Sequence, residues 1–173
     1  DKKSKRDFAL LYVDIDNFKS VNVSHGQEFG DKILQQVAER LLKLQEGDAL
    51  LIRLSGNGFV FVNDNVDHYA LENCAQDILY SLSVPFVVEK NTFLLSGSVG
   101  IALYPEHGET LDEVLSAAEM ALREAKKRLN ASIFFSKEMY ENSRYLLSVE
   151  QKLRQAIKQK APYVVYQPQL DSQ

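Results

Sequence analysis

The chain has 173 residues, 45% hydrophobic and 25% charged, with 24 acidic against 20 basic side chains and a net charge of −4. That is the balance of a globular domain able to bury a core, and it argues against a nucleic-acid-binding surface, which calls for a basic excess. One cysteine, Cys74, excludes a disulfide framework and a zinc site of several cysteines. No apolar run approaches the ~20 residues of a membrane span, and D-K-K-S-K-R-D has no apolar core after it to make a signal peptide. The expectation is a cytoplasmic domain without membrane contact.

Residues 8–14, F-A-L-L-Y-V-D, read as a buried strand presenting Asp14 at its C-terminal end. After D-N-F-K-S-V-N and S-H-G-Q-E-F-G-D, Phe29, Ile33, Val37, Leu41 and Leu44 have helical spacing, with an end expected near Gly47. Runs 49–54 and 59–62, joined by Ser55, Gly56, Asn57 and Gly58, predict a hairpin. N-D-N-V-D opens a second helix with Leu71, Cys74, Ile78 and Leu82 on one face, which puts Cys74 in the core. Pro85 stands just past its end. Residues 86–89 and 92–103 are strand-like about a turn at Lys90-Asn91. Thr110 and Glu113 have capping-box spacing and start a third helix with Leu111, Val114, Leu115, Ala118, Leu122 and Ala125 inward. Ser132–Phe135 is a short last strand. From Lys137 a further helix carries Leu146, Val149, Leu153 and Ile157 on one face, and K-A-P-Y-V-V-Y-Q-P-Q-L begins another strand. A boundary is expected within 136–150, and the chain reads as a fragment of something longer. The fold class is α/β (α+β), a mostly antiparallel central sheet with helices packed on it.

Several residues could carry chemistry. Asp14 and Asp16 flank Ile15, with Asp14 expected to face a pocket and Asp16 to cap the next turn. Mg²⁺ commonly takes one or two protein carboxylates plus substrate phosphates, yet spacing alone equally fits acids that end a strand and start a helix. Gly26 and Gly30 bracket the expected start of the first long helix, where a ligand could approach the backbone. Asp31, just inside it, could bond a ligand's donors or complement the helix dipole. Lys126, Lys127 and Arg128 suit a helix C-terminus. His25, His68 and His107 lack mutual ligand spacing and are expected on surface loops.

In order, Y-V-D-I-D-N-F-K-S-V-N…G-Q-E-F-G-D, R-L-S-G-N-G-F, S-V-G-I-A-L-Y-P and A-A-E-M-A-L-R-E-A-K-K resemble the GGDEF domain of diguanylate cyclases over roughly residues 6–135. Leu153 through Y-Q-P-Q-L resembles the first helix and strand of an EAL phosphodiesterase domain. The organisation implied is a GGDEF domain over 1–135, a linker helix over 136–160 and the first strand of a truncated EAL domain over 161–173. The resemblance implies a ferredoxin-like, nucleotidyl-cyclase-like core, in which active members join two GTP molecules into cyclic di-GMP across a dimer. By that resemblance Asp14 and the Ile15 carbonyl face Mg²⁺, Asn22 and Asp31 bond the guanine edge, and Phe18, Lys19 and Lys126 meet the phosphates.

Departures from the pattern concentrate at the hairpin tip. The family's signature falls on Ser55, Gly56, Asn57, Gly58 and Phe59, with Ser55 for the first glycine, Asn57 for a metal-binding acid and Gly58 for a glutamate. Val23 replaces an aspartate, Gln27 a histidine and Asn130 a phosphate-binding arginine, while Glu46 and Ala49 stand where an Arg-x-x-Asp product-inhibition site would be. With the signature acids gone, weak Mg²⁺ binding and no catalytic residues are expected. Three readings follow: a degenerate regulatory domain that binds GTP and modulates an attached EAL domain, a nucleotide-independent dimerisation module, or a weak diguanylate cyclase.

Overall fold

The computed structural model describes residues 7–45, 49–54 and 56–159. In chain order these form β1 (Phe8–Ile15), α1 (Phe18–His25), α2 (Gln27–Leu42), β2 (Leu50–Arg53), β3 (Gly58–Asn63), α3 (His68–Ser83), β4 (Phe86–Val88), β5 (Asn91–Phe93), β6 (Gly97–Tyr104), α4 (Leu111–Lys126), β7 (Ser132–Phe134) and α5 (Lys137–Lys158). The sheet runs β2-β3-β1-β6-β7, and β4 and β5 form a separate ribbon. The pairs within β2-β3-β1-β6 are antiparallel and β6–β7 is parallel. The mixed α/β class with a mostly antiparallel sheet is the one the element order predicts.

Two apolar clusters hold the sheet. One gathers Leu11, Val13, Ile15, Ile33, Val37, Phe59, Phe61, Ile78 and others where α1, α2 and α3 cover one face. The other joins Leu10, Val60, Ala102, Tyr104, Val114, Ala117 and Ala118 under α4. β6 is buried at all eight positions, an interior strand covered on both faces, so apart from Ser98 it carries only glycine and apolar residues.

Several elements differ from the sequence-based expectation. α1 carries no helical apolar spacing in its sequence to predict it, and only Phe18 of its eight residues is buried. α2 begins at Gln27 and ends at Leu42; Gly47 lies outside the described residues. Gly26, the N-cap, and Gly30 therefore bracket the helix start as expected, and Asp31 lies just inside it. The run 92–103 splits into β5 and β6, because β5 turns back to pair with β4. The ribbon's turn is Glu89-Lys90, both at positive φ (50° and 73°), and Asn91 opens β5. α4 has the expected capping box at Thr110 and Glu113, but Leu111 is 61% exposed and the buried face is rich in alanine.

Side chains of α2 spaced one turn apart hold the end of α3, β4 and the β4–β5 turn. Lys32 pairs with Glu89, Gln36 Nε2 donates to the Val87 carbonyl at 2.8 Å, and Arg40 donates to the Ser81 and Val84 carbonyls. The Arg40 guanidinium also lies 3.7 Å from the Phe86 ring centroid.

Cys74 is half-buried rather than in the core, beside a cavity of about 350 Å³. His25 ends α1 and stacks on Phe29, and His68 opens α3 and stacks on Phe134. His107 is no surface histidine: its side chain is only 9% exposed, and Nδ1 accepts the Leu103 N–H at 3.0 Å.

Cα packing separates two units, the second starting at Lys137. No residue described in α5 is buried, so Leu146, Val149, Leu153 and Ile157 form an exposed apolar stripe. The expected strand over 161–173 lies outside the described residues. Among the described residues no helix is long and apolar enough to cross a membrane.

Candidate nucleotide site

β1, the middle strand, carries Asp14 near its C-terminal end, where its Cα pairs with Gly58 of β3 on one side and Ser98 of β6 on the other. The β2–β3 turn closes above it, with the Leu54 N–H donating to the Gly58 carbonyl at 2.9 Å and Gly56 at φ 74°. Beside this tip lies a cleft of about 330 Å³ lined by Phe18, Lys19, Asn22, Gln27, Asp31, Leu34, Arg53, Gly56 and Asn57. Four of the residues assigned to nucleotide binding by resemblance, Phe18, Lys19, Asn22 and Asp31, thus share one cavity with the tip. Phe18, only 6% exposed, forms floor rather than a free contact. Ser55 lies outside the described residues.

The geometry near α1 is open. The Asn22 carboxamide lies against Gly30, where an added Cβ would stand 1.8 Å from Oδ1. Gly30 therefore makes room for Asn22, a packing role and not the ligand approach its position first suggests. Asn22 Oδ1 is buried without a hydrogen-bond partner, a costly state for an amide oxygen. The Asn22 residue lines the same cavity as Asp31, Lys19 and Arg53, with its Oδ1 turned in against Gly30.

The geometry at the tip is closed. Asn57 Nδ2 donates to Asp14 Oδ1 at 2.7 Å and to the Ile15 carbonyl at 2.8 Å. Lys126 Nζ donates to the same Asp14 oxygen at 2.5 Å. Burial is the largest influence on Asp14 and holds its carboxyl above the ordinary range; Lys126 and Asn57 pull it back, and the nearby Asp16 charge adds to the rise. Over Gly58, where an added Cβ would stand 3.1 Å from Tyr12 Cε2, the Tyr12 ring fills the side-chain space. Burial and the Glu119 and Asp14 charges raise the Tyr12 phenol above its usual value.

Asp16 does not cap the following turn. It is 5% exposed and accepts from Ser96 Oγ at 2.7 Å, Ser98 Oγ at 2.8 Å and the Asn130 N–H at 3.1 Å. It fastens the α4–β7 turn, where Leu129 and Asn130 have positive φ, to the end of β1.

Magnesium would need oxygen ligands converging on one point. Asp14 and the Ile15 carbonyl are present, but N–H donors face both of them, and the tip supplies no carboxylate. The residues do not fit a two-metal site. Among the described residues no group of three or more His, Cys, Asp or Glu side chains is arranged for a metal. Of the pair matching the product-inhibition motif, Ala49 is buried and Glu46 lies outside the described residues.

Sequence reasoning missed Arg53, Leu34 and Tyr12 as part of the site, and treated Gln27 only as a departure. Arg53 was legible, since it opens R-L-S-G-N-G-F; its Nη2 reaches the Gly56 carbonyl at 3.4 Å. Tyr12 gave no signal, because in sequence it is one more apolar strand residue.

The model of the family described as diguanylate cyclase, GGDEF domain, matches residues 1–131. The chain belongs to the GGDEF domain family. This GGDEF domain is 32% identical over 169 residues to the bifunctional diguanylate cyclase/cyclic di-GMP phosphodiesterase MucR of Pseudomonas aeruginosa, covering 97% of this chain and 25% of MucR. It is 35% identical over 163 residues to the cyclic di-GMP phosphodiesterase PdeR of Escherichia coli, covering 94% and 25%. The chain thus spans about a quarter of the length of these relatives. Among solved structures, an EAL/GGDEF domain protein from M. capsulatus matches with a TM-score of 0.72 and 36% identity over 78% of this chain and 88% of that one. The GGDEF domain of TpbB from Pseudomonas aeruginosa matches with a TM-score of 0.76 and 27% identity, over 81% and 83%.

Proposed function

We propose that this is a catalytically inactive GGDEF domain of cyclic di-GMP signalling, which binds GTP and modulates an EAL phosphodiesterase domain in the same cytoplasmic protein. The observation that carries the reading is Asn57 Nδ2 bonded to both Asp14 and the Ile15 carbonyl. Joining two GTP molecules needs cations to polarise the leaving group and help form the attacking alkoxide. Losing one well-placed electrostatic group costs about 10²–10³ in rate, and here Asn57 and Gly58 replace two acids in one turn.

Binding is a smaller demand than catalysis. A guanine edge presents N–H donors, which Asp31 can accept from the cavity and Asn22 Oδ1 can accept once its carboxamide turns from Gly30 toward the cleft, gaining the partner it lacks. Lys19 and Arg53 supply cations for phosphate oxygens from the same cavity. Because the base contacts do not involve Asp14, binding proceeds without Mg²⁺.

Calorimetry with GTP, with and without Mg²⁺, tests the ligand; heat that is equal in both is expected, and none at millimolar GTP removes the sensing role. A product assay with α-labelled GTP tests inactivity. Cyclic di-GMP well above a Lys126→Ala, Asp14→Ala double variant would make the domain a synthase. The exposed apolar stripe of α5 favours a second reading, a module that acts by dimerisation whether or not nucleotide is bound. Dimerisation indifferent to GTP, with phosphodiesterase output depending on it, would select that reading.

A further inference from the structure

In a magnesium site the oxygens of Asp14 and Ile15 would converge on one cation. Here they converge on one nitrogen: Asn57 Nδ2 lies 2.7 Å from Asp14 Oδ1 and 2.8 Å from the Ile15 carbonyl oxygen, with Lys126 Nζ 2.5 Å from that same Asp14 oxygen. We propose that the Asn57 carboxamide and the Lys126 ammonium jointly take the place of a divalent cation, closing the site to magnesium, and that Asn57→Asp alone is enough to open it.

Three physical points support this. A carboxamide nitrogen carries two hydrogens and can donate to two acceptors, so a single atom serves both oxygens as a cation would. The charges of Asp14 and Lys126 cancel, so the trio is neutral without metal. Magnesium would have to enter beside the ammonium and displace a donor already serving both oxygens. Mg²⁺ sits about 2.0–2.1 Å from its oxygen ligands, which puts it in the space that Asn57 Nδ2 fills.

Asn57→Asp exchanges the double donor for a third oxygen ligand. Two carboxylates and a carbonyl would then converge with only Lys126 to offset them. Without metal the new carboxylate repels Asp14; with metal that repulsion becomes ligation. Lys126→Gln acts on the other half of the substitute, removing the positive charge that competes with a cation while leaving the amide in place.

The inference concerns the cation alone, so it is tested without nucleotide. The full chain and its variants are titrated with Mn²⁺, whose free form is read by electron paramagnetic resonance. Melting curves are taken in chelator and in millimolar Mg²⁺ at matched ionic strength. The wild type is expected to leave Mn²⁺ free and to melt at the same temperature in both buffers. Asn57→Asp should bind Mn²⁺ at least about tenfold more tightly, the scale on which ligand surroundings tune metal affinity. It should also melt lower than wild type in chelator and recover in Mg²⁺. If that variant does not fold in either buffer, Lys126→Gln decides the matter, with a gain of about tenfold over wild type expected.

Wild-type Mn²⁺ binding as tight as that of Asn57→Asp would overturn the inference. So would a folded Asn57→Asp variant that leaves Mn²⁺ free or, where that variant does not fold, a folded Lys126→Gln variant that does so. Absence of GTP binding would remove the proposed ligand and leave these results standing, so the two failures are distinguishable.

Discussion

The two sides of the cleft have been treated differently. Around α1 and α2, polar groups face a cavity, and one amide oxygen, Asn22 Oδ1, is buried with no partner. Around the β2–β3 tip, Asp14, Asn57, Lys126 and the Ile15 carbonyl are bonded to one another. Asp16 next door is held by two serine hydroxyls and a backbone N–H. An unpaired buried acceptor is a standing cost that a ligand can relieve, whereas an internally paired set must be broken before anything else can bind there. The contrast separates a side suited to recognising a ligand from one suited to holding the fold.

Substitutions can break that contrast. The largest effect is expected from Asp16→Ala on the closed side. It strands the buried Ser98 hydroxyl and releases the Asn130 N–H, lowering stability by about 3 kcal/mol in urea denaturation. Gly30→Ala, on the open side, should cost about 1 kcal/mol by the same measurement, because its Cβ pushes aside the end of the Asn22 side chain and crowds Phe18 while alanine's helix propensity offsets part of that cost. It should also weaken GTP binding by displacing that carboxamide.

Asn22→Ala sharpens the comparison, since it removes the unpaired acceptor without overpacking. GTP affinity should fall about tenfold by calorimetry, equivalent to ~1.4 kcal/mol, with stability unchanged or slightly raised. A loss of stability with affinity intact would mean that Asn22 serves packing, and the two sides would then be alike. Lys126→Gln is expected to lower stability only slightly, by under about 1 kcal/mol, because the lysine is 40% exposed and solvent screens its pairing with Asp14. The shift of the denaturation midpoint between low and high salt should then be slightly smaller for this variant than for the wild type.

Much of the architecture was legible in apolar spacing. β1, the β2–β3 hairpin, α3 and the Thr110–Glu113 capping box all follow from local pattern. The weakly patterned α1 did not, nor did the division of 92–103 into β5 and β6, which depends on β5 finding β4 as its partner. At the site, ordered motifs pointed to Asp14, Asn22, Asp31 and Lys126, but not to what each one touches. Asp16 illustrates the gap: its place before a helix suggests a cap, and Ser96 and Ser98, distant in sequence, turned it into a buried anchor.

By itself the sequence determined the family resemblance, most of the order of elements and a hairpin tip without an acidic side chain, because periodicity and residue identity are local properties. Only the tertiary structure decided that Asn57 lies between Asp14 and Ile15, that Lys126 reaches that same carboxylate, and that Asn22 is left without a partner over Gly30. Each of these joins groups from different strands or helices. Hydrogen bonding and steric fit act over a few ångströms of space, and only folding brings residues 14, 57 and 126 within that range.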